Sequence, residues 1–247
     1  MNNNLYLFDI IICVGPKDSD IINDTIHYTK KNVIGYRNIY LICATPITIE
    51  GTITIDETIF PFNMNDLNSK FGKCERNGWY LQQLLKLYAG NTIPDILKNY
   101  LIIDSDVFFL KPTEFIDSNE RYIYTTGNEY HVPYFNHMNK LHPLLEKVHP
   151  LSGISHHMIV NTDILNSMFF FVENRHENIP FWKIFLNVID SKEYTMSGAS
   201  EYEIYFSYVY RFYRDKIIIR ELDWCNASRL DDENIKCDYV AVHWYQR

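Results

Sequence analysis

Along the first half of the chain, apolar residues come in short, nearly unbroken runs, each followed by a polar turn and then by a stretch of helical spacing. Residues 8–14 (F-D-I-I-I-C-V) form the first run, closed by Gly15-Pro16-Lys17-Asp18, with a helix expected over about residues 20–31. A continuous apolar run suits a parallel strand covered on both faces. Residues 39–44 repeat the pattern, residues 53–60 supply shorter extended pieces, and residues 75–89 read as a helix stopped by Gly90. The next run, residues 100–112, reads Y-L-I-I-D-S-D-V-F-F-L-K-P. This alternation predicts an α/β fold with a mainly parallel central sheet, helices on both faces, and ligands bound beyond the carboxyl ends of the strands. Residues 14–18 and 104–106 both fall at such ends.

The second half is less regular. Residues 122–126 look like a strand, and residues 128–150 read as a loop-rich stretch carrying His131, His137, His142 and His149 among prolines. Those histidines have no zinc-ligand register and are expected on exposed loops or lining an acceptor site. Residues 156–160 are strand-like, residues 162–170 and 179–188 helical, residues 201–213 a strongly aromatic helix, residues 216–221 a strand, and residues 239–242 a last short strand. No repeat, linker or low-complexity block divides the chain, so residues 1–247 are expected to form one domain.

The D-S-D carries the most chemistry. Strand alternation places Asp104 and Asp106 on the same side. Two carboxylates that close are costly to bury unless a cation sits between them, and hard oxygen ligands favour Mg²⁺ or Mn²⁺ over zinc. The plain alternative is a turn whose aspartates merely solvate a break between strands. The apolar runs on both sides, residues 101–103 and 107–110, favour the metal reading.

Composition narrows the class. A chain of 247 residues, 47% hydrophobic and 15% aromatic, can bury one substantial core. Its net charge of −8 disfavours the broad cationic footprint of nucleic-acid or anionic-membrane binding while leaving room for a local diphosphate pocket. Five scattered cysteines without C-x-x-C spacing suggest reduced thiols and a reducing compartment, hence a cytoplasmic protein. Residues 1–4 carry no positive charge and Asp9 interrupts the apolar stretch of residues 5–14, so the amino terminus reads as a first strand rather than a signal peptide, and no segment looks long enough to span a bilayer.

Four blocks then carry a resemblance: Arg76-Asn77-Gly78-Trp79-Tyr80-Leu81-Gln82-Gln83, the D-S-D with Leu110-Lys111-Pro112, Ser155-His156-His157-Met158, and Ser197-Gly198-Ala199-Ser200-Glu201-Tyr202-Glu203. Together they resemble the glycosyltransferases of the GT-A fold, and more narrowly a glycosyltransferase family of giant DNA viruses and bacteria. The resemblance implies a Rossmann-like single domain with a nucleotide-sugar-binding half (1–112) and an acceptor-binding half (113–247). It also implies a viral protein, placed in host cytoplasm or virion, that moves a hexosyl or N-acetylhexosaminyl group from a nucleotide-diphosphate sugar, UDP-linked by preference, to a hydroxyl of a glycan or glycoprotein.

In that reading Asp106 is the direct ligand of Mn²⁺ or Mg²⁺, Asp104 reaches the metal through water or the donor ribose, Ser105 lies against the donor, and His243, beside Trp244, is a further ligand. Val14, Gly15, Lys17 and Asp18 are expected at the nucleoside. Arg76, Tyr80 and Gln83, at i, i+4 and i+7 of one helical face, are expected to reach the diphosphate or sugar. Ser200 and Glu203 match an S-x-x-E capping box. That leaves Glu201, held ionised by the helix amino terminus, as the base for the acceptor hydroxyl, with Glu203 as its substitute. Of the adjacent His156 and His157, one can face the cleft, and His157 is expected there. Two other readings compete: a sugar-phosphate nucleotidyltransferase, which needs a glycine- and arginine-rich phosphate loop after the first strand, and a non-catalytic carbohydrate-binding protein using a divalent ion.

Overall fold

The computed structural model describes residues 7–228 and 236–243; Trp244 and residues 1–6 lie outside it. β1 (Phe8–Cys13) is buried along its whole length and sits at the centre of a five-stranded sheet. The chain passes through α1 (Ile22–Asn32) to β2 (Tyr36–Cys43), parallel to β1, and on to β3 (Ile53–Asp56), parallel to β2. It then returns through α2 (Met64–Phe71) and α3 (Asn77–Thr92) to β4 (Asn99–Ile103) on the other side of β1. One crossover therefore runs outward on each side of β1, which makes the gap between the carboxyl ends of β1 and β4 the topological switch point.

After β4 come β5 (Val107–Phe109), β6 (Tyr122–Thr125), α4 (Val132–Leu141) and β7 (His157–Asn161). β7 pairs antiparallel with β4, so the expected mainly parallel sheet is in fact mixed, in the order β3-β2-β1-β4-β7. Its reversed direction brings the beginning of β7 beside the end of β4. The remaining elements are α5 (Thr162–Glu173), α6 (Phe181–Asn187), α7 (Glu201–Phe212), β8 (Ile217–Arg220), β9 (Trp224–Asn226) and β10 (Tyr239–Ala241). β5, β10 and β9 make a second small sheet, and β6 pairs with β8. A continuous core from Phe8 to Ala241 joins both halves, so the described residues form a single α/β domain.

α3 is buried nearly all round, because it packs on β1, β4, α5 and α7 at once. Gly90 does not stop it: the helix continues to Thr92, and a Cβ at residue 90 would meet Thr162 Oγ1 at 2.3 Å and Tyr100 Cε1 at 2.7 Å. That glycine lets helix and sheet approach closely. Two helices appear where none is expected. α2 is short and capped by Asn63, and α4 runs through the stretch read as loop, with Pro133 in its first turn and His137 turned into the core. His137 hydrogen-bonds the Phe185 carbonyl, and burial lowers its pKa to about 4. The five cysteines are free, yet Cys225 and Cys237 bring their sulfurs to 3.2 Å.

Candidate active site

Beyond Ile103 the chain turns through Asp104-Ser105-Asp106 before β5 begins, so strand alternation does not govern the two aspartates. The turn is held from several sides: Asp104 N donates to the His156 carbonyl (3.0 Å), Thr25 of α1 donates to the Ser105 carbonyl, and Val242 N donates to the Asp106 carbonyl (2.9 Å). Ser105 is buried and serves the turn through its backbone. The carboxylates of Asp104 and Asp106 remain 19% and 14% exposed at the switch point.

Asp104 is the hub. Its Oδ1 accepts from Lys86 Nζ (2.6 Å) and from the Tyr202 hydroxyl (2.7 Å), and its Oδ2 lies 3.5 Å from His156 Nδ1. Lys86 also donates to Glu201 Oε1 at 2.7 Å, so one buried ammonium on α3 joins the D-S-D turn to the first turn of α7. Burial pushes the Asp104 carboxyl up, but the charge and hydrogen bond of Lys86, with those of His156, outweigh it and hold it well below the usual carboxylate range. Burial likewise opposes the Lys86 charge, and Asp104 and Glu201 together raise its pKa above the ordinary value. Glu201 moves the other way: burial, helped by Asp104, raises its pKa against the pull of Lys86.

Glu201 and Glu203 are both on α7 and both turned inward, their side chains 5% and 1% exposed. Glu201 N donates to Gln83 Oε1 (3.0 Å), which seats α7 on α3. Ser200 caps Glu203 N, but Glu203 does not return the bond. Its carboxylate takes Gly153 N (3.0 Å), the Ser152 hydroxyl and Lys147 Nζ (3.2 Å), clasping the loop before β7 instead of completing a capping box.

The histidine pair is reversed from expectation. His157 is 2% exposed among the rings of Phe109, Phe115 and Tyr239, and burial lowers its pKa to about 3, with the charges of Arg220 and His156 adding to the shift. His156 takes a left-handed backbone (φ 62°) that aims its ring at Asp104. His156 precedes β7 with a left-handed backbone, so strand alternation does not govern the pair, and the assignment of sides needed the tertiary structure.

Tyr80 and Arg76 support the site from behind. The buried Tyr80 hydroxyl donates to the Tyr194 carbonyl (3.0 Å) and accepts from Gly198 N (2.9 Å), while Arg76 lies over the Trp79 ring and bonds Ser197. Both therefore fix the loop leading into α7. At the end of β1, Gly15 N donates to Asp18 Oδ2 (2.9 Å), folding residues 15–18 into one helical turn with Lys17 exposed and Val14 half-buried.

The residues missed from the sequence are Lys86, His156 and Tyr202. Lys86 had a signal: it is the sole charged side chain in α3, three positions beyond Gln83 on the face already marked by Arg76, Tyr80 and Gln83.

His243 Nδ1 lies 3.0 Å from Asp106 Oδ2, and its ring centroid is 5.2 Å from that of His156. As they stand, these donors satisfy one another in pairs, and among the described residues no three acidic, histidine or cysteine side chains already converge as a metal cage. Their chemistry nevertheless fits Mn²⁺ or Mg²⁺: hard carboxylate oxygens with one or two imidazoles, each keeping a small part of its surface open to solvent.

Residues 50–214 match the Family of unknown function (DUF6492). The chain belongs to this family. The matched stretch of this DUF6492 member holds Lys86, Asp104, Asp106, His156 and Glu201, and leaves outside it the β1 loop and His243. No curated protein matches the chain.

Proposed function

We propose that this DUF6492 protein is a metal-dependent glycosyltransferase of the GT-A type, transferring a sugar from a nucleotide-diphosphate donor, UDP-linked by preference, to a hydroxyl on a glycan or glycoprotein. The observation that carries the reading is the charge at the switch point: the carboxylates of Asp104 and Glu201 share the buried ammonium of Lys86, and Asp106, in the same turn as Asp104, meets His243. So acidic a crevice repels a diphosphate unless a divalent cation joins it, and a cation stabilising a departing diphosphate is what this transfer chemistry needs. Asp106 and His243 would hold the cation, which supplies Lewis-acid assistance to the leaving group when bound.

The chain's own residues do the positioning. Lys86 and Tyr202 fix Asp104 with one oxygen toward the opening, Glu201 and Gln83 fix Lys86 and α7, and residues 14–18 stand where the nucleoside of the donor would lie, over β1. In this arrangement Glu201 acts on Lys86 rather than as the base for the acceptor. The donor half would be residues 1–112 and the acceptor half residues 113–247, in the reducing compartment that free cysteines suit. Among the described residues no helix is long and apolar enough to cross a membrane.

A nucleotidyltransferase fits less well, because the turn after β1 spends an amide on its own Asp18 instead of offering a glycine-rich cradle. A carbohydrate-binding sandwich would be antiparallel, whereas the strands around β1 are parallel. Titration calorimetry with UDP and Mn²⁺ tests the proposal. Binding is expected with Mn²⁺, and Asp106→Ala or EDTA should weaken it about 10²-fold or more. Undiminished nucleotide binding by Asp106→Ala in EDTA would overturn the metal-bridged reading.

A further inference from the structure

Across the sheet the order is β1, β4, β7, and each contributes one station at its ligand-facing end: residues 14–18 after β1, Asp104 after β4, and His156 immediately before the antiparallel β7. Beyond His156 the surface opens into a cavity of about 310 Å³ lined by Asn128, Glu129, Ile154, His156 and Trp224. We infer that this cavity binds a single pyranose ring, with Trp224 and Ile154 as its apolar wall and Glu129 and Asn128 as the groups that read its hydroxyls. The inference rests on the glycosyltransferase reading and names where that site takes its sugar.

Size and chemistry point the same way. The volume lies at the low end of small-molecule pockets, roughly 300–1,000 Å³, which suits one ring and not a nucleotide. A pyranose has apolar C–H faces and an equatorial rim of hydroxyls, so it needs an aromatic or aliphatic surface beside acceptors and donors. The indole and Ile154 supply the first, and a carboxylate and an amide supply the second. Trp224 is held at a fixed angle: it stacks on Tyr239 (centroids 5.7 Å, 9°) and meets the His156 ring edge-on at 5.0 Å.

The walls are built rather than incidental. Gly127 and Ser152 exchange two backbone hydrogen bonds of 2.9 Å, tying the Asn128–Glu129 segment to the one that carries Ile154 and His156. A Cβ at residue 127 would sit 2.4 Å from the Ile154 carbonyl oxygen, so glycine is required for that approach. Glu203 clasps Ser152 and Gly153 from beneath, and the left-handed backbone of His156 turns its ring toward Asp104 and Trp224 together. A strained residue, a glycine contact and a buried carboxylate thus converge on one small opening next to the D-S-D.

The sugar can belong to the donor or to the acceptor, and the test separates them. The chain has four tryptophans, so the indole N–H region of a ¹H–¹⁵N spectrum is sparse, and the signal lost in Trp224→Phe identifies Trp224. UDP, UDP-glucose, UDP-N-acetylglucosamine and the corresponding free methyl glycosides are each titrated with Mg²⁺ present, because paramagnetic Mn²⁺ would broaden the signal of a nearby indole. The expected result is that the Trp224 signal moves with a sugar-bearing ligand and not with UDP alone, and that Glu129→Gln weakens that ligand about tenfold. A shift with UDP-sugars assigns the donor ring; a shift with free glycosides assigns the acceptor. If UDP binds but no sugar-bearing ligand moves Trp224, the cavity proposal is overturned while the enzyme reading stands. If no nucleotide binds, the enzyme reading fails, and a Trp224 shift with free glycosides still upholds the sugar site while its absence removes that too.

Discussion

Asp9 and Asp104 stand at opposite ends of adjacent central strands, and the sheet treats them oppositely. Asp9, near the start of β1, is fully buried and accepts four hydrogen bonds: Arg37 Nε (3.0 Å) and Nη2 (2.7 Å), Asn38 N (3.0 Å) and Leu97 N (2.8 Å). Asp104, just past β4, gives one oxygen to Lys86 and Tyr202 and leaves the other facing an opening, with His156 at 3.5 Å. The first carboxylate is closed off and works as a clasp for the amino end of the sheet. The second is anchored on one side and available on the other, as a ligand-binding group must be.

The comparison yields three measurable outcomes. The largest is Arg37→Ala, which leaves the Asp9 charge buried without its cation; urea unfolding should show a loss of about 3–5 kcal/mol, with UDP and Mn²⁺ binding by the folded fraction unchanged. Next is Lys86→Met. Here the Asp104 oxygen reaches water and Glu201, its pKa already raised by burial, can take a proton, so the loss should be smaller, about 1–3 kcal/mol. Mn²⁺ should stabilise this variant more than the wild type, by supplying positive charge beside Asp104. A loss equal to that of Arg37→Ala, with no added response to Mn²⁺, would erase the distinction between the two ends.

The smallest effect is read in acid and concerns the packing beneath the open end. His157 has its folded-state pKa lowered to about 3, from an ordinary 6.5, so the unfolded chain takes up the proton first as pH falls. Its contribution to stability is complete above pH 6.5 and is lost on acidification from there toward pH 3. His157→Asn should reduce the pH dependence of unfolding free energy near pH 5 by about 1.4 kcal/mol per pH unit. An unchanged slope would mean that His157 is protonated in the folded protein.

Much of the first half was legible because parallel strands announce themselves through nearly unbroken apolar runs, and β1, β2 and β4 each carry one. α4 was illegible for the opposite reason. Its sequence, V-P-Y-F-N-H-M-N-K-L, mixes proline, asparagine and histidine with apolar residues, and its helix forms where Tyr134, His137, Met138 and Leu141 find a core to enter. At the site, Asp104, Asp106 and His243 were readable as candidate donors, but the partners of Glu201 and Glu203 were not, since a carboxylate's surroundings depend on the cation or amide that meets it.

By itself, then, the sequence determined the alternation of strand and helix, the place of the acidic turn at a strand end, and the pair of candidates at residues 156 and 157. Those features are local: a strand's period of two and a helix's of 3.6 can be counted along the chain. The tertiary structure alone decided that β7 runs antiparallel beside β4, that His156 faces the opening while His157 enters the core, and that Lys86 joins residues 104 and 201. Each is a contact between segments far apart in sequence, selected by which surfaces bury together and which charges then need partners, and no local pattern encodes that choice.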